Sequence, residues 1–227
     1  MKKLAILITL SIVIFLSFIP VIMGESRMPE PYHDTTIILD AGHGGKDGGA
    51  TSASGVIERD IVLNITKMVE DQLRLQGFNV ILTRNDDNDL ASPNAKNRKR
   101  EDLNKRVEIL NSEENAIAIS IHANAISNSR WNGAQTFYDP SALENKQLAT
   151  SIMDSLRNNI DNLNREQKAI SNIYVLRHSN IPTALVEVGF LSNSEEAKLL
   201  ENEDYQHLIA YAIFEGILSY IEMSTTE

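Results

Sequence analysis

The 227-residue sequence contains no cysteine, which excludes disulfide bonds and thiolate metal sites. A metal bound by this chain would therefore be held by histidine, aspartate or glutamate side chains. Basic residues are also scarce, because 21 Lys and Arg stand against 31 Asp and Glu, for a formal net charge of −10. A chain of that charge repels a polyphosphate, so the composition predicts no nucleic-acid partner.

The N-terminal segment has two lysines followed by an apolar run without charge over residues 4–23. At about 1.5 Å per helical residue, this run can cross the roughly 30 Å hydrocarbon core of a membrane. Residues 1–24 are therefore interpreted as a signal peptide or a membrane anchor, with the lysines on the cytoplasmic side. Gly24 is a candidate cleavage point, but Ile22 fits such a site poorly, which favours the anchor. In both cases the rest of the chain is expected outside the cytoplasm.

Beyond this segment the sequence predicts a linker and one folded domain. Residues 25–35 contain two prolines and several charges without periodicity, which is typical of a linker. From residue 36 to 223, apolar runs of strand length alternate with helical patterns, and no internal repeat is visible. This alternation predicts a single α/β domain whose mostly parallel, roughly six-stranded twisted sheet has helices on both faces. The predicted strands are Thr36–Asp40, Asn79–Thr83, Ala116–Ile121, Ala134–Tyr138, Ile173–Leu176 and Ala184–Val188.

The helical patterns carry recognisable start and stop signals. They lie at Ile61–Leu73 with Gly77 as the stop, at residues 100–110, at residues 141–160, after a capping box at Ser192–Glu195, and from about Asp204 onward. The last helix is expected to bury Leu208 with its other apolar residues. Residues 85–106 change from acidic to basic, which indicates a solvated loop and a charged helix start; a loop facing substrate or a partner is the alternative.

A glycine-rich turn, LDAGHGGKDGG at residues 39–49, places His43 among five glycines directly after the first predicted strand. A phosphate loop is disfavoured, because Asp47 follows Gly45-Lys46 where Ser or Thr is needed and no helix begins there. The turn also fails to match a dinucleotide-binding fingerprint. Glycines on both sides of a histidine instead let backbone and substrate approach without a Cβ clash.

Two further residues could complete a metal site with His43. His122 ends the third predicted strand, and Glu58 lies at the entry of the first predicted helix. Two imidazoles and one carboxylate suit Zn²⁺ and leave one coordination position for water. Taken singly, each residue has a simpler explanation, as a hydrogen-bonded loop histidine or as a helix N-terminal charge.

Glu187 lies inside an otherwise apolar strand, where an unpaired carboxylate costs several kcal/mol. It therefore needs a cation or a catalytic role. Beside a zinc-activated water it would act first as a general base and then as a general acid toward a leaving amine. A structural bridge to Arg84 or Arg177 is the alternative.

Five segments of the chain resemble, in the same order, the zinc-dependent N-acetylmuramoyl-L-alanine amidases of the amidase-3 family. They are ILDAGHGGKDGGA, IERDIVLNI, VILTRNDD, SIHANA and IPTALVEVGFLSNSEE, and the resemblance runs from about Thr36 to Ile221. It implies one Zn²⁺ per chain on His43, Glu58 and His122, with Glu187 as the catalytic carboxylate. It also implies hydrolysis of the amide between N-acetylmuramic acid and L-alanine in peptidoglycan, with residues 36–223 as the catalytic domain.

Four other residues of the region that resembles the family are candidates for contact with the substrate. Asn124 and Arg177 are predicted to contact the substrate, and Arg84 and Arg106 could do so or could form structural bridges.

The domain organisation narrows the resemblance to a subfamily. A lone catalytic domain behind an export segment resembles the germination-specific amidases of spore-formers, which act on cortex peptidoglycan so that a deacetylase can form muramic-δ-lactam. This implies glycan strands with stem peptides as substrate, and an activating lipoprotein or a deacetylase as partner. The implied location is the cell wall or the forespore intermembrane space. A general turnover or division amidase and a non-catalytic peptidoglycan-binding regulator remain the alternatives.

Overall fold

The computed structural model describes residues 34–161 and 163–224. The expected signal peptide or anchor at residues 1–24 and most of the predicted linker lie outside the described residues. In the part of the chain that is described, none of the helices is long and apolar enough to cross a membrane.

Six strands form one sheet, as the alternating apolar runs predict. They are β1 (Thr36–Ala41), β2 (Val80–Leu82), β3 (Ala116–Asn124), β4 (Gln135–Tyr138), β5 (Lys168–Ala169) and β6 (Thr183–Phe190), in the spatial order β2-β1-β3-β6-β4-β5. The first four in that order are mutually parallel, β4 is antiparallel to β6, and β5 is parallel to β4. The carboxyl ends of β1, β3 and β6 therefore meet at one edge of the sheet. The predicted mostly parallel α/β architecture is confirmed.

The helices between the strands cover both faces of the sheet. They are α1 (Glu58–Leu75), α2 (Arg98–Leu110), α3 (Leu143–Asn159), α4 (Tyr174–His178), α5 (Ser194–Glu201) and α6 (Glu203–Ser224). The larger apolar cluster fills the face covered by α1, α3 and α6, with Ile65, Ile152 and Ile213 fully buried in it. A smaller cluster on the opposite face joins Ile38 and Ala118 to residues of α2 and α4.

One predicted strand is wrong. Residues 173–176 do not pair with the sheet, because Tyr174–His178 forms the short helix α4. Its buried residues Val175 and Leu176 account for the apolar run, which is too short for periodicity to separate a strand from a helix. The sixth strand is instead Lys168–Ala169, which is exposed and carries no apolar pattern.

Two local predictions about helices also need correction. Asn193, not Ser192, caps α5, since its side chain accepts hydrogen bonds from the backbone N–H groups of Glu195 and Glu196. The hydroxyl of Ser192 instead accepts from the backbone N–H of Ile126. Leu208 is 37% exposed, because α6 packs through the face that carries other apolar residues such as Ile213. The predicted stop after α1 is confirmed, and Gly77 has the left-handed φ of +87° that favours glycine.

Candidate active site

The glycine-rich turn leaves β1 in a conformation that brings its backbone against the other candidate ligands. His43 has φ +63°, the only positive φ of a non-glycine residue in the described ranges. A Cβ atom at Gly42 would lie less than 3.0 Å from the His122 ring, and one at Gly49 less than 3.0 Å from the Glu58 carboxylate. Glycine at both positions is therefore required by the close approach of the turn to the site.

His43, Glu58 and His122 form a compact cluster at the carboxyl edge of the sheet. Three potential ligand atoms, one from each residue, lie within 4.8 Å of one another. Nε2 of His43 and Nδ1 of His122 each lie 3.0 Å from Oε1 of Glu58. The two imidazole rings meet edge to face, with centroids 5.0 Å apart. Two imidazole nitrogens and a carboxylate oxygen arranged in this way could hold a divalent transition-metal ion.

Glu58 is fixed and charged by its surroundings. Its Oε1 accepts a hydrogen bond of 3.0 Å from the backbone N–H of Ala123, and its Oε2 accepts one of 2.8 Å from that of Ala50. Burial alone would raise the pKa of this carboxyl, but the hydrogen bonds with His122 and His43 hold the pKa well below its usual range. Glu58 is thus ionised at neutral pH, and its oxygens could serve as metal ligands.

Asp47 stands behind His43 on the side away from Glu58. Its Oδ1 lies 3.1 Å from Nδ1 of His43, and its Oδ2 forms an ion pair with Lys99. Burial opposes ionisation, yet the hydrogen bond from Lys99 and the charge of His43 lower the pKa of Asp47 to about 2. A carboxylate behind a metal-ligating histidine commonly fixes the orientation of its ring. In the sequence, Asp47 bears only on the phosphate-loop alternative, and its position four residues after His43 is the signal that points to this second role.

Glu187 lies next to this cluster, in β6. It is directly opposite His122 of β3 on one side and Gln135 of β4 on the other. Its Oε2 atom is buried and has no hydrogen-bond partner among the described residues. Burial raises the pKa of Glu187 to about 7. The charge of His122 lowers this pKa, and the negative charge of Glu58 raises it. A carboxyl of this kind can exchange a proton near neutral pH.

The alternative of a structural bridge to Glu187 is not supported by the positions of the two arginines. Arg84 is 4% exposed and points into the glycine-rich turn, and Arg177 is exposed on α4. Neither forms an ion pair with Glu187 in the structure of residues 34–161 and 163–224.

Arg84 and Arg106 hold the backbone of the glycine-rich turn. Their guanidinium groups donate to the carbonyl oxygens of residues 41–43: Arg84 to Ala41 at 3.0 Å and Gly42 at 2.8 Å, Arg106 to Ala41 at 2.6 Å and to His43. Arg106 is 2% exposed. Both arginines therefore make structural contacts to the backbone of the turn, as the alternative to substrate contact predicts for them.

A buried acidic centre pairs with Arg106 beneath the turn. Asp40, 1% exposed, accepts hydrogen bonds from Arg106 at 2.6 Å, Ser120 at 2.6 Å and Thr83 at 2.8 Å. Although burial opposes ionisation, the charge of Arg106 and these hydrogen bonds lower the pKa of Asp40 to about 2. Nε of Arg106 also donates to Asp102, 2.9 Å away, so the arginine lies between two carboxylates.

The acidic-to-basic segment at residues 85–106 folds back on itself and onto the turn. Arg98 at the start of α2 donates two hydrogen bonds of 2.7 Å to the carboxylate of Asp89. The backbone N–H of Gly45 donates to the carbonyl of Asp87, and Lys99 pairs with Asp47. The predicted helix start is present, and the loop before it packs against the turn that carries His43.

The two predicted substrate contacts lie in different places. Asn124 ends β3 two residues beyond His122, and its side chain forms no hydrogen bond with the described residues. Arg177 is on α4, whose His178 carbonyl accepts from Asn111 at the end of α2. The other end of α2 carries Lys99 beside Asp47, so Arg177 is not brought to the cluster. Substrate contact by either residue stays a prediction.

Comparison with known proteins agrees with this fold and site. The family model Amidase_3, described as N-acetylmuramoyl-L-alanine amidase, matches residues 37–219. This chain belongs to that amidase family. It is 45% identical over 193 residues to the germination-specific N-acetylmuramoyl-L-alanine amidase of Bacillus subtilis, covering 84% of this chain and 81% of that relative.

Other amidases are similar over the same region. N-acetylmuramoyl-L-alanine amidase LytC of B. subtilis is 32% identical over 197 residues, which cover 86% of this chain and 37% of LytC. Among solved structures, the CwlD amidase from Clostridioides difficile, in complex with the GerS lipoprotein, superposes with a TM-score of 0.81 and 41% identity. That match covers 84% of this chain and all of the CwlD chain. The predicted enzyme class, a peptidoglycan amidase, is confirmed.

Proposed function

We propose that this amidase is zinc-dependent and acts on spore cortex peptidoglycan, with residues 36–223 as its catalytic domain. It hydrolyses the amide between the lactyl carbonyl of N-acetylmuramic acid and the amino group of L-alanine. The observation that carries the proposal is the carboxylate of Glu187, which lacks a partner among the described residues and lies beside His43, Glu58 and His122.

The three clustered side chains are the proposed zinc ligands. Two imidazoles and one ionised carboxylate fit Zn²⁺, and three protein ligands are typical of a catalytic site with an open position. When bound, Zn²⁺ supplies Lewis-acid activation of a water molecule and of the scissile carbonyl. The charge of Asp47, whose Oδ1 lies 3.1 Å from Nδ1 of His43, is proposed to orient that ring, and hydrogen bonds from the backbone amides of Ala50 and Ala123 orient Glu58.

Glu187 is the proposed general base and general acid. It accepts the proton of the attacking water, and it then donates that proton to the nitrogen of the departing L-alanine. A pKa raised to about 7 by burial suits a group that must both take up and release a proton at neutral pH.

The cortex role rests on the similarity to the germination-specific amidase of B. subtilis, which extends over most of both chains. Removal of the stem peptide leaves an N-acetylmuramic acid with a free lactyl carboxyl group, from which a deacetylase can form muramic-δ-lactam. We place the enzyme outside the cytoplasm, in the cell wall or the forespore intermembrane space, exported by residues 1–24. Because the similar CwlD amidase was solved with a lipoprotein, an activating lipoprotein is a proposed partner here, alongside the deacetylase.

The first experiment is mass spectrometry of purified peptidoglycan incubated with the full chain and Zn²⁺, with and without a chelator. We expect free stem peptides with an L-alanine amino terminus, and we expect chelation to abolish them. Release that persists in the chelator would contradict the metal requirement. Intact muropeptides, with or without a candidate lipoprotein, would instead favour a non-catalytic peptidoglycan-binding regulator.

A second experiment tests the cortex role. Spores of a strain that lacks this chain should contain cortex without muramic-δ-lactam, and expression of the wild-type chain should restore it. Normal lactam content in those spores would favour the alternative of general wall turnover, which the similarity to LytC also allows.

A further inference from the structure

We propose that Arg165 binds a carboxylate of the stem peptide, that of the residue following L-alanine, in a subsite formed with Trp131 and Phe190. The inference deepens the proposed function and rests on it, because it takes Glu187 as the group that faces the departing amine.

Arg165 is held in one orientation by four neighbours. Its Cζ atom lies 5.2 Å from the centroid of the Trp131 ring and 4.8 Å from that of the Phe190 ring. Its Nε donates to the carbonyl of Asn132 at 2.7 Å, and its Nη1 donates to Oε1 of Gln135 at 2.6 Å. A guanidinium fixed in this way loses little further conformational entropy when it binds an anion.

The outer edge of this guanidinium is available for a ligand. No described residue accepts a hydrogen bond from Nη2 of Arg165, and none forms an ion pair with it. The acid whose charge acts on Arg165 is Glu196. Its two oxygens already accept hydrogen bonds from the backbone N–H groups of Gly133 at 2.7 Å and Phe190 at 2.8 Å. Trp131 is 52% exposed, so the platform on which Arg165 rests reaches the surface.

Arg165 lies in line with the catalytic residues. Glu187 is opposite His122 on one side and Gln135 on the other, and directly opposed residues point to the same face with Cβ atoms about 5 Å apart. Gln135 in turn contacts Arg165. The order along this edge is therefore the His43–Glu58–His122 cluster, then Glu187, then Gln135, then Arg165.

This order assigns the two sides of the edge to the two parts of the substrate. A group that protonates a leaving amine must lie beside its nitrogen, so the stem peptide departs from Glu187 on the side away from the cluster. That side carries Gln135 and Arg165. The residue after L-alanine lies about two residue lengths, roughly 7 Å, from the scissile nitrogen. Arg165 is within reach of that residue, because only the side chain of Gln135 separates it from Glu187. When that residue is D-glutamate linked through its side chain, its α-carboxylate is free to bind the guanidinium edge.

The test compares two substrates that differ only in this carboxylate. N-acetylmuramoyl-L-alanyl-D-glutamate and its D-isoglutamine analogue are hydrolysed by the zinc-loaded full chain, and kcat/KM is measured for each. A charge-assisted hydrogen bond to a fixed arginine predicts that the carboxylate form is preferred about tenfold or more. Arg165→Met should remove the preference, so that both substrates react with equal kcat/KM.

Matched variants separate the subsite from general charge and from folding. Arg130 is exposed and adjacent to Trp131, and none of the described residues bonds to its guanidinium, so Arg130→Met should keep the preference. Should Arg165→Met fail to fold by circular dichroism, Arg165→Lys keeps the charge but loses the planar fork and should weaken the preference. Equal kcat/KM for the two substrates in wild type, or an undiminished preference in a folded Arg165 variant, would overturn the proposal.

Failure of the proposed function gives a different result. In that case wild type hydrolyses neither substrate, whereas calorimetry of L-alanyl-D-glutamate and L-alanyl-D-isoglutamine with the full chain still decides the role of Arg165. Tighter binding of the glutamate form by wild type, lost in Arg165→Met, supports the subsite; equal binding contradicts it.

Discussion

The two sides of the sheet edge that carries His122 differ in how fully their polar groups are partnered. On the β1 side, Asp40 accepts three side-chain hydrogen bonds, and Arg106 lies between two carboxylates. On the β6 and β4 side, Glu187 has an oxygen without a partner in the described residues, and Arg165 has a free guanidinium edge there. The first side has the contacts that hold a fixed geometry, and the second has the unpartnered groups to which we assign roles toward the substrate.

The largest effect should follow from removing the unpartnered acid. Glu187→Gln is expected to lower kcat/KM by about 10²- to 10⁴-fold, because the amide cannot make the proton transfers proposed for Glu187. Bound zinc, measured by mass spectrometry under native conditions, should be unchanged. Glu166 is an exposed glutamate on the same side, and Glu166→Gln is the matched control that should keep wild-type activity. Near-normal hydrolysis by Glu187→Gln would contradict the role assigned to Glu187.

On the β1 side, substitutions should mainly change the free energy of unfolding. Arg106→Met leaves Asp40 and Asp102 buried without their cation, and loss of one partner of such a pair costs about 3–5 kcal/mol in the free energy of unfolding. Urea denaturation measures the change. Arg100→Met, on the exposed side of the same helix, should cost less than about 0.5 kcal/mol. Equal effects of the two substitutions would show that the buried network contributes nothing specific.

A smaller effect should appear in metal affinity when the support of His43 is removed. Asp47→Asn keeps the shape of the side chain but not its charge, and loss of such a supporting carboxylate typically weakens metal binding about 10- to 100-fold. Competition with a fluorescent zinc chelator measures the dissociation constant. Asp60→Asn, an exposed substitution in the first turn of α1, is the control, and an Asp47→Asn affinity equal to wild type would exclude the supporting role.

The smallest effect concerns acid stability. The pKa of Asp40 is lowered to about 2 in the folded chain, from a usual value of 3.8. Its contribution is therefore fully present above about pH 4 and is lost as pH falls toward 2, about 2 kcal/mol in all. In Asp40→Asn, the slope of unfolding free energy against pH should be shallower over this range by up to one proton. An unchanged slope would mean that Asp40 does not titrate with folding.

Most parts of this site that could be predicted from the sequence lie at the end of a long apolar strand or inside one, and Glu58 lies at the start of the first amphipathic helix. His43, His122 and Glu187 follow or interrupt such runs, so the parallel sheet brings them to one edge. Arg165 lies in a polar stretch without periodicity, and only the packing of the rings of Trp131 and Phe190 gives it a position.

Short elements are the other part of the structure that could not be predicted from the sequence. β5 is two exposed residues held by pairing with β4, so its own sequence carries no strand signal. The run at residues 173–176 has the composition of a buried strand, and its helical form depends on packing against α2. In both cases tertiary contacts outweigh local preference.

The carbonyl groups of residues 41–43 are held by Arg84 and Arg106 through protein contacts alone. The backbone of the turn that carries His43 is thus fixed by two side chains of the chain itself, whereas in small metallodomains binding of the ion drives folding. Under the zinc dependence proposed above, chelation should therefore silence this amidase without denaturing it. If that proposal holds, supply and removal of zinc would be a reversible control of cell-wall hydrolysis, because the folded enzyme would regain activity when the ion returns.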